Sequence, residues 1–227
     1  MEIHLKLSFH LVFLILVLLE GVTRTAWGGP CYEQTRADNY VQTLGIRPET
    51  FRDWRDLCNP RNEFVALLKA FDFIFSLELQ QTSQPIAAIP GWISSDYLSY
   101  FKTNVTSIVR GNERETNAYM TSESGQVVIN PSFFSDLNLL RRAATLIHEA
   151  RHRNIRYAHV VCLRGDFIGK KSCDASFNRG GSFAVEIEFF ARVHYLATNV
   201  SAADKARARD MALRLLREDF NHAGISF

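Results

Sequence analysis

The chain has 227 residues, with 26 Lys and Arg against 24 Asp and Glu, a formal charge of +2 and 47% hydrophobic residues. Its basic residues are scattered singly among acids, so the one-sided basic face of a nucleic-acid binder is excluded. No internal repeat, low-complexity tract or Pro/Gly/Ser-rich linker divides the sequence, and its length suits one domain with a substantial core.

Residues 1–28 read as an export signal. Lys6 supplies a positive start, residues 11–19 an apolar stretch too short to span a bilayer, and Ala26-Trp27-Gly28 a small-x-small cleavage site. A transmembrane anchor is the competing reading, disfavoured because Glu20 and Arg24 close the apolar run early. The expectation is a single mature domain over 29–227, secreted or periplasmic, with no stable membrane insertion once the signal is removed. Four cysteines in an oxidising compartment favour two disulfides. Of three connectivities the local one, Cys31 with Cys58 and Cys162 with Cys173, closes the most modest loops. A competing reading gathers Cys162, Cys173, His159 and Asp174 around a metal.

The first half of the mature chain reads as helical scaffold. Residues 32–44 have apolar positions at loose helical spacing, and Pro48-Glu49-Thr50 opens a short helix carrying Trp54 towards Cys58. Asn59-Pro60 is the expected cap of a helix running through Phe64, Leu67, Leu68, Phe71, Ile74 and Phe75 to about Leu79. Residues 82–92 form a loop containing Pro85 and Pro90-Gly91, and a helix follows from Asp96 to about Val109. The runs 116–121 and 126–130 flank a Glu-Ser-Gly turn at 123–125, which is a β-hairpin signal.

After the hairpin comes Thr145-Leu-Ile-His-Glu-Ala-Arg-His152, inside a stretch with no Pro or Gly between Leu137 and Ile155. On a helix, positions i and i+4 stand one above the other, so His148 and His152 can direct ring nitrogens at one ion. Glu149 falls roughly 100° round the helix, beside that ion. A carboxylate there can accept a proton from the water that a zinc ion activates, which is the arrangement amide hydrolysis needs.

With Glu186 on a later helix, this stretch resembles the zincin metallopeptidases, in particular small gluzincins, over about the second half of the chain. The run from His-Glu-Ala-Arg-His through Cys162, Cys173-Asp174 and Gly180-Gly181 is also similar to small secreted bacterial proteins with no assigned activity. The Gly-x-x-His continuation of the metzincins is missing after His152. The resemblance implies Zn2+ held by His148, His152 and Glu186, with Glu149 as general base. It also implies a minimal zincin-like α+β domain, predominantly helical, with the hairpin before the motif helix laying an extended substrate over the metal.

Helical geometry separates the two candidate third ligands. Stepping about 100° per residue, Glu186 sits among Phe183, Ile187, Phe189, Phe190 and Val193, whereas Glu188 falls on the opposite side with Arg192 and Tyr195. His194 near the Glu186 face, and Tyr157 and His159 on the loop between Asn154 and Gly181, are candidate oxyanion donors or fallback ligands, and a fourth protein ligand such as His159 or Asp174 would favour a structural zinc. The expectation is a secreted zinc metallopeptidase acting on a peptide or protein, cell-wall peptides included, with no nucleic-acid partner. The alternative is a non-catalytic zincin-like binding module with structural or absent zinc.

Overall fold

The computed structural model describes residues 30–222. The expected signal segment lies outside the described residues. The architecture is α+β and predominantly helical, with seven α-helices and two small three-stranded sheets among the described residues. In chain order these are α1 (Gln34–Leu44), α2 (Glu63–Phe75), α3 (Tyr97–Asn104), β1 (Ser107–Arg110), β2 (Ala118–Thr121), β3 (Gln126–Ile129), α4 (Pro131–Ser135), α5 (Leu139–Arg151), β4 (Val160–Val161), β5 (Lys171–Ser176), α6 (Ser182–Ala191), α7 (Ala202–Glu218) and β6 (Phe220–His222).

α2 forms where the Phe-rich stripe predicts, and it buries Phe64, Leu67, Leu68, Phe71 and Ile74. Its cap is Asn62 rather than Asn59. The Asn62 side chain accepts from the Phe64 amide at 2.8 Å and donates to the carbonyls of Asp53 and Asp56. The helix ends at Phe75, short of Leu79, which bridges to Ala197. The helix expected to reach Val109 ends at Asn104. Ser107–Arg110 instead runs parallel to Gln126–Ile129, because its β-branched residues find a partner strand that lies beyond local sequence. The expected hairpin is present as β2 and β3, paired antiparallel from Ala118↔Ile129 to Thr121↔Gln126. The first sheet has order β1-β3-β2, so β2 is an edge strand.

The second sheet, β4-β5-β6, departs from the loop expected between Asn154 and Gly181. β5 pairs β4 antiparallel and β6 parallel, joining the segment after α5 to the end of the chain through Asp174↔Phe220. Both local disulfides are formed, Cys31–Cys58 and Cys162–Cys173. No metal gathers on cysteine, since neither pair leaves a free thiol.

One hydrophobic core extends from Ala37 to Phe220. α5 lies in its middle, packed against α2, α3, α6 and β2. Leu140, Ala143, Ala144, Ile147 and Ala150 are buried on that helix, and Asn138 caps it by accepting from the Arg141 amide at 3.0 Å. The helix that carries His148 and Glu149 is therefore held on several sides.

Candidate metal centre

Two nitrogens of the site come from α5 as the motif spacing requires. His148 is within the last turn of α5 and His152 is its C-terminal cap, still in helical conformation. The third comes from His159, on the loop just before β4. His148, His152 and His159 each offer a ring nitrogen within 4.8 Å of the others, a group that can hold a metal ion. The His148 Nε2 atom is 3.2 Å from His152 Nε2 and 3.2 Å from His159 Nε2. Three imidazoles bound tetrahedrally at roughly 2.0–2.1 Å place their nitrogens roughly 3.3 Å apart, so the observed spacing suits one shared ion.

Glu186 is not part of this group, which corrects the ligand set expected from the sequence. Its Oε2 is 3.0 Å from His148 Nδ1, on the opposite side of the ring from the nitrogen that faces His152 and His159. With Nδ1–H donating to Glu186, His148 Nε2 keeps its lone pair for a metal. His159 completes the group because the loop after α5 folds back over the helix end. Helical periodicity within α6 contains no information about that fold-back.

Each histidine of the group has a partner behind it. The His152 ring bonds the Tyr157 main chain. His159 Nδ1 lies 3.4 Å from Asp174 Oδ1, within electrostatic reach but without hydrogen-bond geometry. Asp174 is itself fixed, its Oδ2 accepting from the amides of Phe183 (2.9 Å) and Ala184 (3.2 Å) at the start of α6. A carboxylate there is favoured by the free amides and positive end of the helix dipole. The approach requires glycine at the helix cap, since a Cβ on Gly181 would stand 2.3 Å from Asp174 Oδ2. Phe183 closes the group from one side, its ring 4.6 Å from His148 and 4.9 Å from His159.

Burial sets the protonation states. It pushes His148 down to about 3 and His152 down to about 2, with the neighbouring rings adding repulsion between positive charges. Both imidazoles are thus neutral, the form that binds metal without competition from protons. Burial also raises the Glu149 carboxyl well above its ordinary value, aided by Glu186, while a hydrogen bond from the Met120 amide of β2 opposes the rise. Glu186 is pushed up to about 7, mainly by burial and partly offset by Arg141.

Glu149, His148 and Glu186 line one cavity of about 380 Å³ together with Asn117 and Ala118 at the start of β2. Tyr157 does not line it. Two guanidinium groups stand over its ring, Arg151 at 3.8 Å and Arg156 at 5.0 Å, and the Arg151 contact ties the loop to α5. His194 is also elsewhere, in the segment Arg192–Leu196 with its Nδ1 3.1 Å from the Lys205 carbonyl, so it is not a fallback ligand. Glu188 does point away from Glu186, yet it is fully buried. The loop 86–95 covers it, the Trp92 amide donates to it at 2.8 Å, and Arg192 pairs with it.

No family model matches the chain, and neither a curated protein nor a solved structure matches it significantly.

Proposed function

We propose that the chain is an exported zinc-dependent hydrolase of peptide amide bonds, with His148, His152 and His159 as ligands and Glu149 as general base. This keeps the zincin-like character expected from His148-Glu149-Ala150-Arg151-His152 but exchanges the third ligand. The observation that carries the reading is the group of three ring nitrogens, two of them 3.2 Å from His148 Nε2, next to a buried carboxylate at the wall of a cavity. Three protein ligands are the number that leaves a coordination position open for chemistry, whereas structural zinc usually has four. Export is supported by the two disulfides.

Zinc held there would supply Lewis acidity and lower the pKa of a water towards about 7. Glu149 accepts the proton of the attacking water and passes it to the leaving amine. The Met120 amide orients the carboxylate for that transfer. Glu186 holds the His148 ring in the tautomer that presents Nε2. β2, an edge strand whose start lines the cavity, offers main-chain groups to an extended peptide or protein segment.

The test is metal analysis of the purified mature protein together with digestion of a mixed peptide library, for the wild type and Glu149→Gln. The expected result is one zinc per chain in both proteins and cleavage by the wild type alone. Zinc in the wild type with no peptide cleaved would overturn the hydrolase in favour of a non-catalytic metal-binding module.

A further inference from the structure

The cavity beside Glu149 has an acidic floor that neither the histidine group nor the proton transfer uses. Asp219 lies in the turn between α7 and β6, only 6% exposed, and lines this cavity. Its carboxylate has no hydrogen bond or ion pair among the described residues. A buried carboxylate without a partner is costly, and the chain keeps this one where β6 pairs with β5, the Asp174 amide donating to the Asp219 carbonyl at 2.9 Å.

The field at that point is negative. The Asp219 carboxyl is raised to about 7, by burial first and then by Glu186 and Glu218, with Arg214 and His159 opposing more weakly. Of the cavity's six charged side chains, four are carboxylates, Glu149, Glu186, Glu218 and Asp219, and two are guanidinium groups, Arg141 and Arg214. Arg214 already faces Glu218 at 3.7 Å, and no ion pair reaches Asp219 among the described residues. The same cavity is also lined by the apolar side chains of Phe190, Met211 and Leu215.

We propose that this cavity is a specificity pocket for a cationic substrate side chain of the lysine or arginine class. The aliphatic stem lies along Phe190, Met211 and Leu215, and the ammonium or guanidinium head ends at Asp219. Long cationic side chains bury their methylenes on apolar surface while the head keeps a polar partner, which is the division the cavity presents. The assignment rests on the hydrolase reading for what happens next to the bound residue, but the recognition itself is a binding property.

The test is calorimetric titration of the zinc-loaded protein with three probes, the Nα-acetyl methylamides of lysine, norleucine and glutamate. Matched peptides carrying the same three residues are assayed for cleavage in parallel. The lysine probe is expected to bind about tenfold tighter than norleucine, with the difference abolished in Asp219→Asn and largely restored in Asp219→Glu. Thermal melting of each variant verifies that it is folded. Equal binding of lysine and norleucine, tighter binding of glutamate, no binding of any probe, or a lysine preference that survives Asp219→Asn each overturns the pocket. Selective binding without cleavage leaves the pocket standing and overturns the hydrolase. Cleavage without lysine preference does the reverse.

Discussion

The proposed metal ligands reach one point from two regions built on different principles. α5 presents His148 and His152 from a helix packed on four elements of the core, so its backbone sets where the two rings start. The segment between α5 and α6 presents His159 from a loop that leaves several large apolar side chains exposed, with Ile155 at 78%, Leu163 at 66% and Ile168 at 66%. That loop buries little of its own. It is held by the Cys162–Cys173 bridge, by Arg151 donating to the Gly180 carbonyl at 2.8 Å and stacking on Tyr157, and by Asp174 seated on the amides of α6. A rigid helix can set two ligands, but the third depends on restraints that are few and individually removable.

The sharpest break of this comparison is deletion within the histidine group. His159→Ala should abolish zinc binding as completely as His148→Ala, although only His148 belongs to the motif helix. Glu186→Ala, which removes a partner behind His148 rather than a donor, should weaken zinc by about 10–100-fold. Competitive chelator titration separates the two outcomes, and a Glu186→Ala loss as complete as that of His159→Ala would restore Glu186 as a ligand.

The disulfides contrast next. Replacing Cys31 and Cys58 by Ala opens a link over 27 residues and should cost about 3.5 kcal/mol of stability while leaving zinc affinity unchanged. Replacing Cys162 and Cys173 opens one over 11 residues and should cost about 3 kcal/mol. Here zinc affinity should fall as well, because His159 loses its anchor. Denaturant unfolding with and without metal reads both quantities. Equal zinc affinity in the two double variants would show that the loop is held without its bridge.

Gly181→Ala acts at the same support more gently. Its Cβ would displace Asp174 from the amides of Phe183 and Ala184. The expected cost is about 1–3 kcal/mol, with a modest loss of zinc affinity. The same substitution at Gly169, whose φ is +82° and where a Cβ would meet no atom within 4 Å, introduces backbone strain without a contact, whereas Gly181 at φ −67° introduces the contact without the strain. It therefore measures backbone strain alone.

The smallest effect concerns Asp219. Its carboxyl is raised to about 7 in the folded protein by burial first, so the folded state holds the proton more tightly than the unfolded chain. Stability from this group is present below its unfolded value and is lost as pH rises through about 7. Asp219→Asn should leave the melting temperature unchanged near pH 4 and raise it by a few degrees near pH 8. A difference independent of pH would mean that Asp219 is solvated rather than buried.

Much of this molecule is determined by short-range sequence. The i, i+4 spacing of His148 and His152, the absence of Gly and Pro around them, the Phe stripe of α2 and the hairpin at 118–129 each depend on a period of a few residues. The local cysteine pairing follows from loop entropy in the same way. Other features exist only because distant segments meet. β1 needs β3 to be a strand, β6 needs β5, and Glu188 is buried because the loop 86–95 covers it. Above all, His159 replaces Glu186 in the group that can hold a metal. A helical wheel assigned Glu186 an inward direction correctly, since it does point at the site, but direction does not specify which atom it meets. That was decided by the fold-back of the disulfide-closed loop, which puts His159 Nε2 on the open face of His148 and leaves Glu186 only the Nδ1 side.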